Sequence, residues 1–352
     1  MDITRFFYTL GTVVLSFFIL VIGKNILIPF VLAVFIWYLI NTLASVIQQI
    51  PVGKSHFPTW LSYFLAISFI IVILGLLANL ISINVAQIGE AAPRYQERLI
   101  SVFNDALTKW PSLASTYSGN GLEALKQMMS QINFKGILTN IAFSLKGLIS
   151  SGGLIGIYIM FLFLEQKSFK VKLEKILSNK TQNNKAFSLI EQIGSDIRKY
   201  IGIKTMTSAA TGIIGYILMS SVDLDFAAFW AILLFLFNYI PTVGSIIATI
   251  FPSLLALVQF TGIGHFAGIA LGLISIQVAI GSILEPRLMG SSLNLSPLAI
   301  ILSLVLWGAV WQIPGMILCV PITVICMIIF SHFKKTQPLA ILLSKDGKIT
   351  RT

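Results

Sequence analysis

Residues 226–284 contain no Asp, Glu, Lys or Arg, and neither do residues 288–333. Both runs are far longer than the about 20 apolar residues a membrane-spanning helix needs. The rest of the chain agrees, with 56% of its 352 residues hydrophobic and only 11% charged. A soluble domain cannot cover that much apolar surface, so the chain reads as an all-α integral membrane protein. A membrane β-barrel would show short alternating strands instead.

Hydropathy and charge breaks predict about eight membrane segments, at 6–22, 26–47, 59–85, 147–164, 203–222, 226–260, 264–284 and 297–331. They divide the chain into N-terminal membrane segments (1–85), a polar insertion (86–146), a further membrane segment (147–164), a basic segment (165–204), a C-terminal apolar region with two proline-broken runs (205–333) and a basic tail (334–352). In the insertion, "RYQERLISVFNDALTKW" puts Tyr95, Leu99, Val102 or Phe103, Ala106 and Trp110 on one helical face. Arg94, Glu97, Arg98, Asp105 and Lys109 take the other. An amphipathic extramembrane helix is expected there.

The formal net charge is +11, but the basic residues cluster between membrane segments rather than on one folded face, which argues against a nucleic-acid partner. Residues 165–204 hold nine Lys/Arg against four Asp/Glu, and the tail holds five against one. Short basic stretches stay in the cytoplasm, so both termini are expected inside and the insertion outside. Anionic membrane lipids are a second reading of the same lysines.

The last third of the chain breaks its own apolar runs. "FLFNYIPTVGSIIATIFP" at 235–252 carries Asn238, Pro241, Gly244 and Pro252, and "WQIPGMILCVP" at 311–321 repeats the theme with Gln312, Pro314, Gly315 and Pro321. A proline inside a helix costs roughly 3 kcal/mol in water, and in a bilayer the freed carbonyl has no water to turn to. Each broken run follows a plainer helix, so the region reads as two copies of one motif, an internal inverted repeat. As one helix, 226–260 would run about 52 Å, against a hydrocarbon core of about 30 Å. Either the helix crosses tilted and kinked, or it is re-entrant, turning at the proline and leaving on the side it entered. The loop "EPRLMGSSLNLSP" at 285–297 is external in the first case and cytoplasmic in the second.

"NYIPTVGSII" and "LEPRLMGSSLNLSPLAIILSLVLWGAVWQIPGMILCVPIT" together resemble the C-terminal signature of the autoinducer-2 exporter (AI-2E) family of bacterial permeases. The resemblance implies a homo-oligomeric transporter of the bacterial inner membrane. Its members are linked to export of the signal autoinducer-2 and, in other cases, to sodium/proton antiport. The substrate is thus a small polar solute, or a monovalent cation exchanged for protons.

Candidate path residues follow from chemistry. Glu285 and Arg287 flank Pro286 and are the only strong charges between Asp225 and Lys334, and ionisable groups near membrane depth point to function. Asn238, Gln277, Asn294 and Gln312 are amides that donate and accept hydrogen bonds, as a hydroxylated solute requires, although such amides also tie helices together. Gly244, Gly290 and Gly315 supply backbone freedom at the breaks, and Pro241, Pro297 and Pro314 belong to the same candidate path. Trp230, Trp307 and Trp311 can line a path or anchor at the interface. Gly264, Gly268 and Gly272 form a small-residue ridge that predicts a close helix approach. No glycine-rich phosphate loop, metal-ligand set or nucleophilic triad occurs, so neither an enzyme nor a cofactor is expected.

Overall fold

The computed structural model describes residues 3–52, 55–109, 136, 151–176, 180–260, 262–290 and 294–347. Most of the insertion beyond Lys109, Trp110 included, lies outside the described residues, as do 147–150, 177–179, 291–293 and the last residues of the tail. The helices are α1 (Ile3–Ile22), α2 (Lys24–Gln48), α3 (Thr59–Lys109), α4 (Gly152–Ile176) and α5 (Lys180–Ser220). They continue with α6 (Ala227–Phe237), α7 (Val243–Gln259), α8 (Ile263–Gln277), α9 (Glu285–Met289), α10 (Pro297–His332) and α11 (Gln337–Leu343). The departure from an all-helical chain is small: Pro51–Val52 and Ser55–His56 pair as an antiparallel hairpin, β1 and β2.

Among the described residues five stretches are long and apolar enough to cross a membrane: Lys24–Gln48, Thr59–Ala91, Phe187–Ser220, Ile263–Met289 and Pro297–His332. Shorter apolar helices occupy Leu10–Ile22, Gly152–Gln166, Ala227–Phe237 and Val243–Gln259. The chain is therefore a multi-pass membrane protein. The basic stretch at 165–204 is helical among the described residues, since α4 runs to Ile176 and α5 starts at Lys180.

The chain divides into two compact units, the first made of Met1–Val72, Ser150–Met206 and Glu285–Thr352. In it α2 packs on α4, around a core of Ile40, Ala44 and Ala66 ringed by Tyr63, Ile159 and Phe163. The alanines let the backbones approach closely, as membrane packing demands. Tyr63 Oη donates to Asn41 Oδ1 at 2.9 Å, so the amide of α2 is answered from α3.

In the same unit α10 is not one straight rod. Ser303 Oγ donates to the Cys319 carbonyl at 3.0 Å, and the Ser303 and Thr323 hydroxyls are hydrogen-bonded to each other. In a continuous helix residues 303 and 323 would lie about 30 Å apart. The chain therefore folds back, and it does so at Gln312, whose φ of 55° and ψ of −136° are not helical. Next to the fold-back, Trp311 Nε1 donates to the Leu20 carbonyl of α1 at 3.0 Å. At the other end, Leu295 and Ser344 form an antiparallel bridge. Ser296 N donates to Leu343 O at 2.8 Å and Lys345 N to Asn294 O at 3.0 Å, so the tail is bonded to the segment that opens α10.

The second unit comprises Ile73–Ile149 and Thr207–Leu284. Helices α6 and α7 pack on each other and α7 packs on α8. Trp230 stacks on Phe251, centroids 6.2 Å apart with rings 9° from parallel, although a continuous helix would hold these residues about 31 Å apart. The outer ends of this pair are tied too. Asp225 N donates to Gln259 Oε1 and Gln259 Nε2 to Asp223 O, both at 2.8 Å. The glycine ridge narrows to Gly272, where a β-carbon would sit 2.5 Å from Leu218 Cδ2; among the described residues nothing lies within 4 Å of one on Gly264 or Gly268. His265 stacks on Phe260 at 4.3 Å.

The polar end of α3 is helical as far as Lys109. Leu99 is buried and Tyr95 half-buried, while Arg94, Glu97, Arg98 and Asp105 are exposed. Tyr95 Oη donates to Asp225 Oδ2 at 2.5 Å, and Phe226 meets the Tyr95 ring edge-on.

Candidate functional site

The first break, between α6 and α7, follows from one crowded approach. Gly244 lies in the first turn of α7, and a β-carbon on it would fall 1.8 Å from the Phe237 carbonyl oxygen. Only glycine lets the first turn of α7 sit on the last turn of α6. The connection is tight, with Ile240 N donating to Phe237 O at 2.8 Å and Val243 N to Pro241 O at 2.5 Å. Pro241 has no N–H to offer α6, and Thr242 after it takes a φ of 59°, which an L side chain rarely adopts. Asn238, 4% exposed, donates from Nδ2 to Ser208 Oγ of α5 at 3.0 Å.

The second break, inside α10, uses the same device. A β-carbon on Gly315 would lie 1.9 Å from the Trp307 carbonyl oxygen. Here the left-handed residue is Gln312, ahead of Ile313 and Pro314, whereas Thr242 follows Ile240 and Pro241. Trp307 and Trp311 tilt against each other with centroids 5.1 Å apart. In each break a non-glycine residue carries the strained turn, and glycine is needed for contact rather than for its own torsion angles. The freedom expected of Gly244 and Gly315 is thus of a different kind, while Gly290, at a φ of 58°, does use it.

Glu285 begins α9, directly after a π-helical stretch at Val278–Leu284. Pro286 offers no N–H to the turn before it, and its ring crowds that turn's carbonyls. Widening the helix there relieves the crowding, and π turns recur at functional sites. The Glu285 carboxylate meets Lys204 of α5, Nζ donating to Oε1 at 2.7 Å, with side-chain exposures of 8% and 14%. Arg287 takes an exposed position, and Lys204 is a cation bonded to Glu285. Asn294 has a φ of 37° and accepts from the tail, and Ser296 caps α10 ahead of Pro297 by accepting from Ala299 N at 3.1 Å. Gln277 ends α8, and its buried Nε2 has no hydrogen-bond partner among the described residues.

The second unit thus brings together Asn238, Pro241 and Gly244. The first gathers Trp307, Gln312, Pro314 and Gly315 at one end of its folded helix, and Asn294 and Pro297 at the other. Sequence reasoning missed Lys204, Ser208, Ser303 and Thr323. A signal existed in α5: Lys204, Thr207, Ser208 and Thr211 fall at helical spacing, and all four are buried.

The family model of AI-2E family transporters matches residues 10–335. A Haemophilus influenzae protein described as a candidate transport protein is 29% identical over 325 residues, covering 92% of this chain and 91% of its own. The AI-2 transport protein TqsA of Escherichia coli is 29% identical over 331 residues, 93% of this chain and 91% of its own. A third, a candidate transport protein of Borreliella burgdorferi, is 30% identical over 265 residues, 74% of this chain and 70% of its own. With the membrane helices, the match along nearly the whole chain settles its membership: this protein belongs to the AI-2E family of transporters, a family of membrane carriers and not of enzymes.

Proposed function

We propose that the protein is a secondary transporter or facilitator of the bacterial inner membrane that exports a small polar organic solute of the autoinducer-2 kind. The observation that carries this reading is the pair of glycine-packed helix breaks in apolar sequence. Irregular backbone at membrane depth persists only where it is buried in protein or lines a cavity, and transporters use such breaks to bind polar solutes. The buried Asn238–Ser208 bond names the chemistry: a solute hydroxyl can take the place of the Ser208 hydroxyl on the Asn238 amide. The name of the relative TqsA supports autoinducer-2 as the solute to try first.

Both breaks are read as re-entrant hairpins. Helix α6 has 11 residues and α7 has 17, about 16 and 26 Å at 1.5 Å per residue, each short of a core of about 30 Å. The ends of α6–α7 meet through Gln259, and the segment opening α10 is bonded to the tail. These ties favour entering and leaving on one face. The positive-inside rule puts the tail in the cytoplasm and the polar end of α3 outside. The hairpin beside Arg94 and Tyr95 then opens outward and the one beside the tail inward, as an inverted repeat. The N-terminus is assigned to the cytoplasm as well. Leu20 lies about 26 Å along α1 and Trp311 about 21 Å along α10, so the two chains reach their bond from the same face.

The sodium/proton reading asks Glu285 to exchange cations, yet a cation there must displace the Lys204 ammonium. In proteoliposomes loaded with autoinducer-2, the protein is expected to accelerate efflux and Asn238→Leu to abolish the acceleration. Absence of efflux from natively folded protein, together with sodium-dependent collapse of a proton gradient, would reverse the order of the two readings.

A further inference from the structure

Beyond His332 the chain leaves α10, and its next residues are both greasy and basic. Phe333, Leu339, Ile341 and Leu342 are exposed, Leu342 at 76%. Lys334 and Lys335 precede α11, Lys345 follows it, and all three are exposed. The segment is not a loose end. Ala340 is fully buried where α11 packs on α10, and Thr336 Oγ1 donates to the Phe330 carbonyl at 3.0 Å. The backbone bonds of Leu343 and Lys345 to Ser296 and Asn294 close the other end. The helix therefore has one fixed face, and it turns Leu339 and Leu342, one helical turn apart, away from Ala340.

We infer that residues 333–345 form a membrane-surface anchor that binds acidic phospholipid headgroups through Lys334, Lys335 and Lys345 while Leu339 and Leu342 enter the acyl boundary. Three observations choose this occupant. The anchor begins one residue after an apolar helix of 36 residues ends, so it starts at the bilayer boundary. Its exposed side chains are large and aliphatic, as interfacial helices require. Its charges are lysines on both flanks, complementary to anionic headgroups. Because the far end of the anchor is bonded to residues 294–296, a tail held on the membrane also holds the segment from which α10 rises. The inference does not depend on which solute is carried.

The test places a spin label at Leu342→Cys in full-length protein carrying Cys319→Ala and Cys326→Ala, with Asp346→Cys as the aqueous reference. Melting behaviour confirms the fold of each variant. The protein is studied in nanodiscs of phosphatidylcholine alone and of phosphatidylcholine with phosphatidylglycerol, reading collision with oxygen against collision with a water-soluble nickel complex. The expected result is a label at 342 reached by oxygen and shielded from nickel when phosphatidylglycerol is present. That shielding is lost in phosphatidylcholine alone or after Lys334→Gln with Lys335→Gln. A label reached by nickel in both discs overturns the anchor. Equal shielding in both discs, indifferent to the lysines, overturns the acidic-lipid partner. Shielding from both probes in discs and in detergent means protein covers the site, and overturns it in favour of a second copy.

Discussion

Lys204 Nζ and Glu285 Oε1 are 2.7 Å apart although 81 residues separate them in the chain. The pair has little access to solvent, so neither charge has water to fall back on. Removing one partner takes the counter-charge from a largely buried group, a change that costs about 3–5 kcal/mol in buried ion pairs, whereas replacing both with apolar groups is often close to neutral. Lys204→Met alone should therefore lower the melting temperature of the purified protein sharply. Lys204→Met combined with Glu285→Leu should recover most of that loss. A double variant as unstable as the single one would show that the carboxylate has other essential partners.

The two crowded glycines make a sharper forecast. A methyl group at Gly244 or Gly315 meets a backbone carbonyl below 2 Å, and backbone cannot step aside as a flexible side chain can. Gly244→Ala and Gly315→Ala should each exceed the roughly 3 kcal/mol typical of overpacking. Gly264→Ala and Gly268→Ala, with open space around them, should change stability by less than about 0.5 kcal/mol. Size-exclusion profiles and melting curves of the four variants decide the matter.

Asn238 separates packing from transport. A hydrogen bond between membrane helices contributes only about 0.6–1.7 kcal/mol, so Asn238→Leu should fold with a modestly lower melting point. If its amide also handles the solute, efflux should fall at least about tenfold, equivalent to some 1.4 kcal/mol in the barrier. Ser208→Ala, which removes only the internal partner, should keep most of the flux. Equal flux in Asn238→Leu and the parent would confine this amide to packing.

At the polar end of α3 the prediction concerns pH. Burial, reinforced by the bond to Asp225, pushes the Tyr95 phenol up to about 12. A phenol raised above its ordinary value of about 10 favours the folded state in its neutral form. Its contribution is complete below pH 10 and disappears as pH rises through 12. Tyrosinate absorbance should show a late step that Tyr95→Phe removes and Asp225→Asn moves to lower pH. The neighbouring Arg94–Asp225 contact, 3.9 Å long and exposed, should matter little to stability.

Much of the membrane framework was legible because it depends on composition and local pattern. The absence of charge over 226–284 and the pairing of proline with glycine marked the helices and their breaks. The amphipathic end of α3 showed in its period. Lys204 did not show, because it ends a run of basic residues and a linear reading assigns the whole run to solvent. Ser303 and Thr323 also passed unremarked. A hydroxyl in an apolar helix is easily satisfied by its own backbone, as Thr211 is by Thr207 at 2.9 Å, so nothing in the sequence says that Ser303 and Thr323 reach across to another arm. The strain at Thr242 and Gln312 was hidden for a related reason, since neither residue type favours a positive φ and only the surrounding contacts impose it.

The doubling back of Pro297–His332 bears on how the chain is made. To the insertion machinery, which reads hydropathy as the chain emerges, these 36 apolar residues look like one spanning segment. The return at Gln312 is specified by partners that arrive later: Met316 against Gly308, the Cys319 carbonyl for Ser303, and finally Thr323. The first arm cannot reach its final position until the second has been synthesised. The turn at Gln312 is therefore encoded in contacts between the two arms and not in the hydropathy of either.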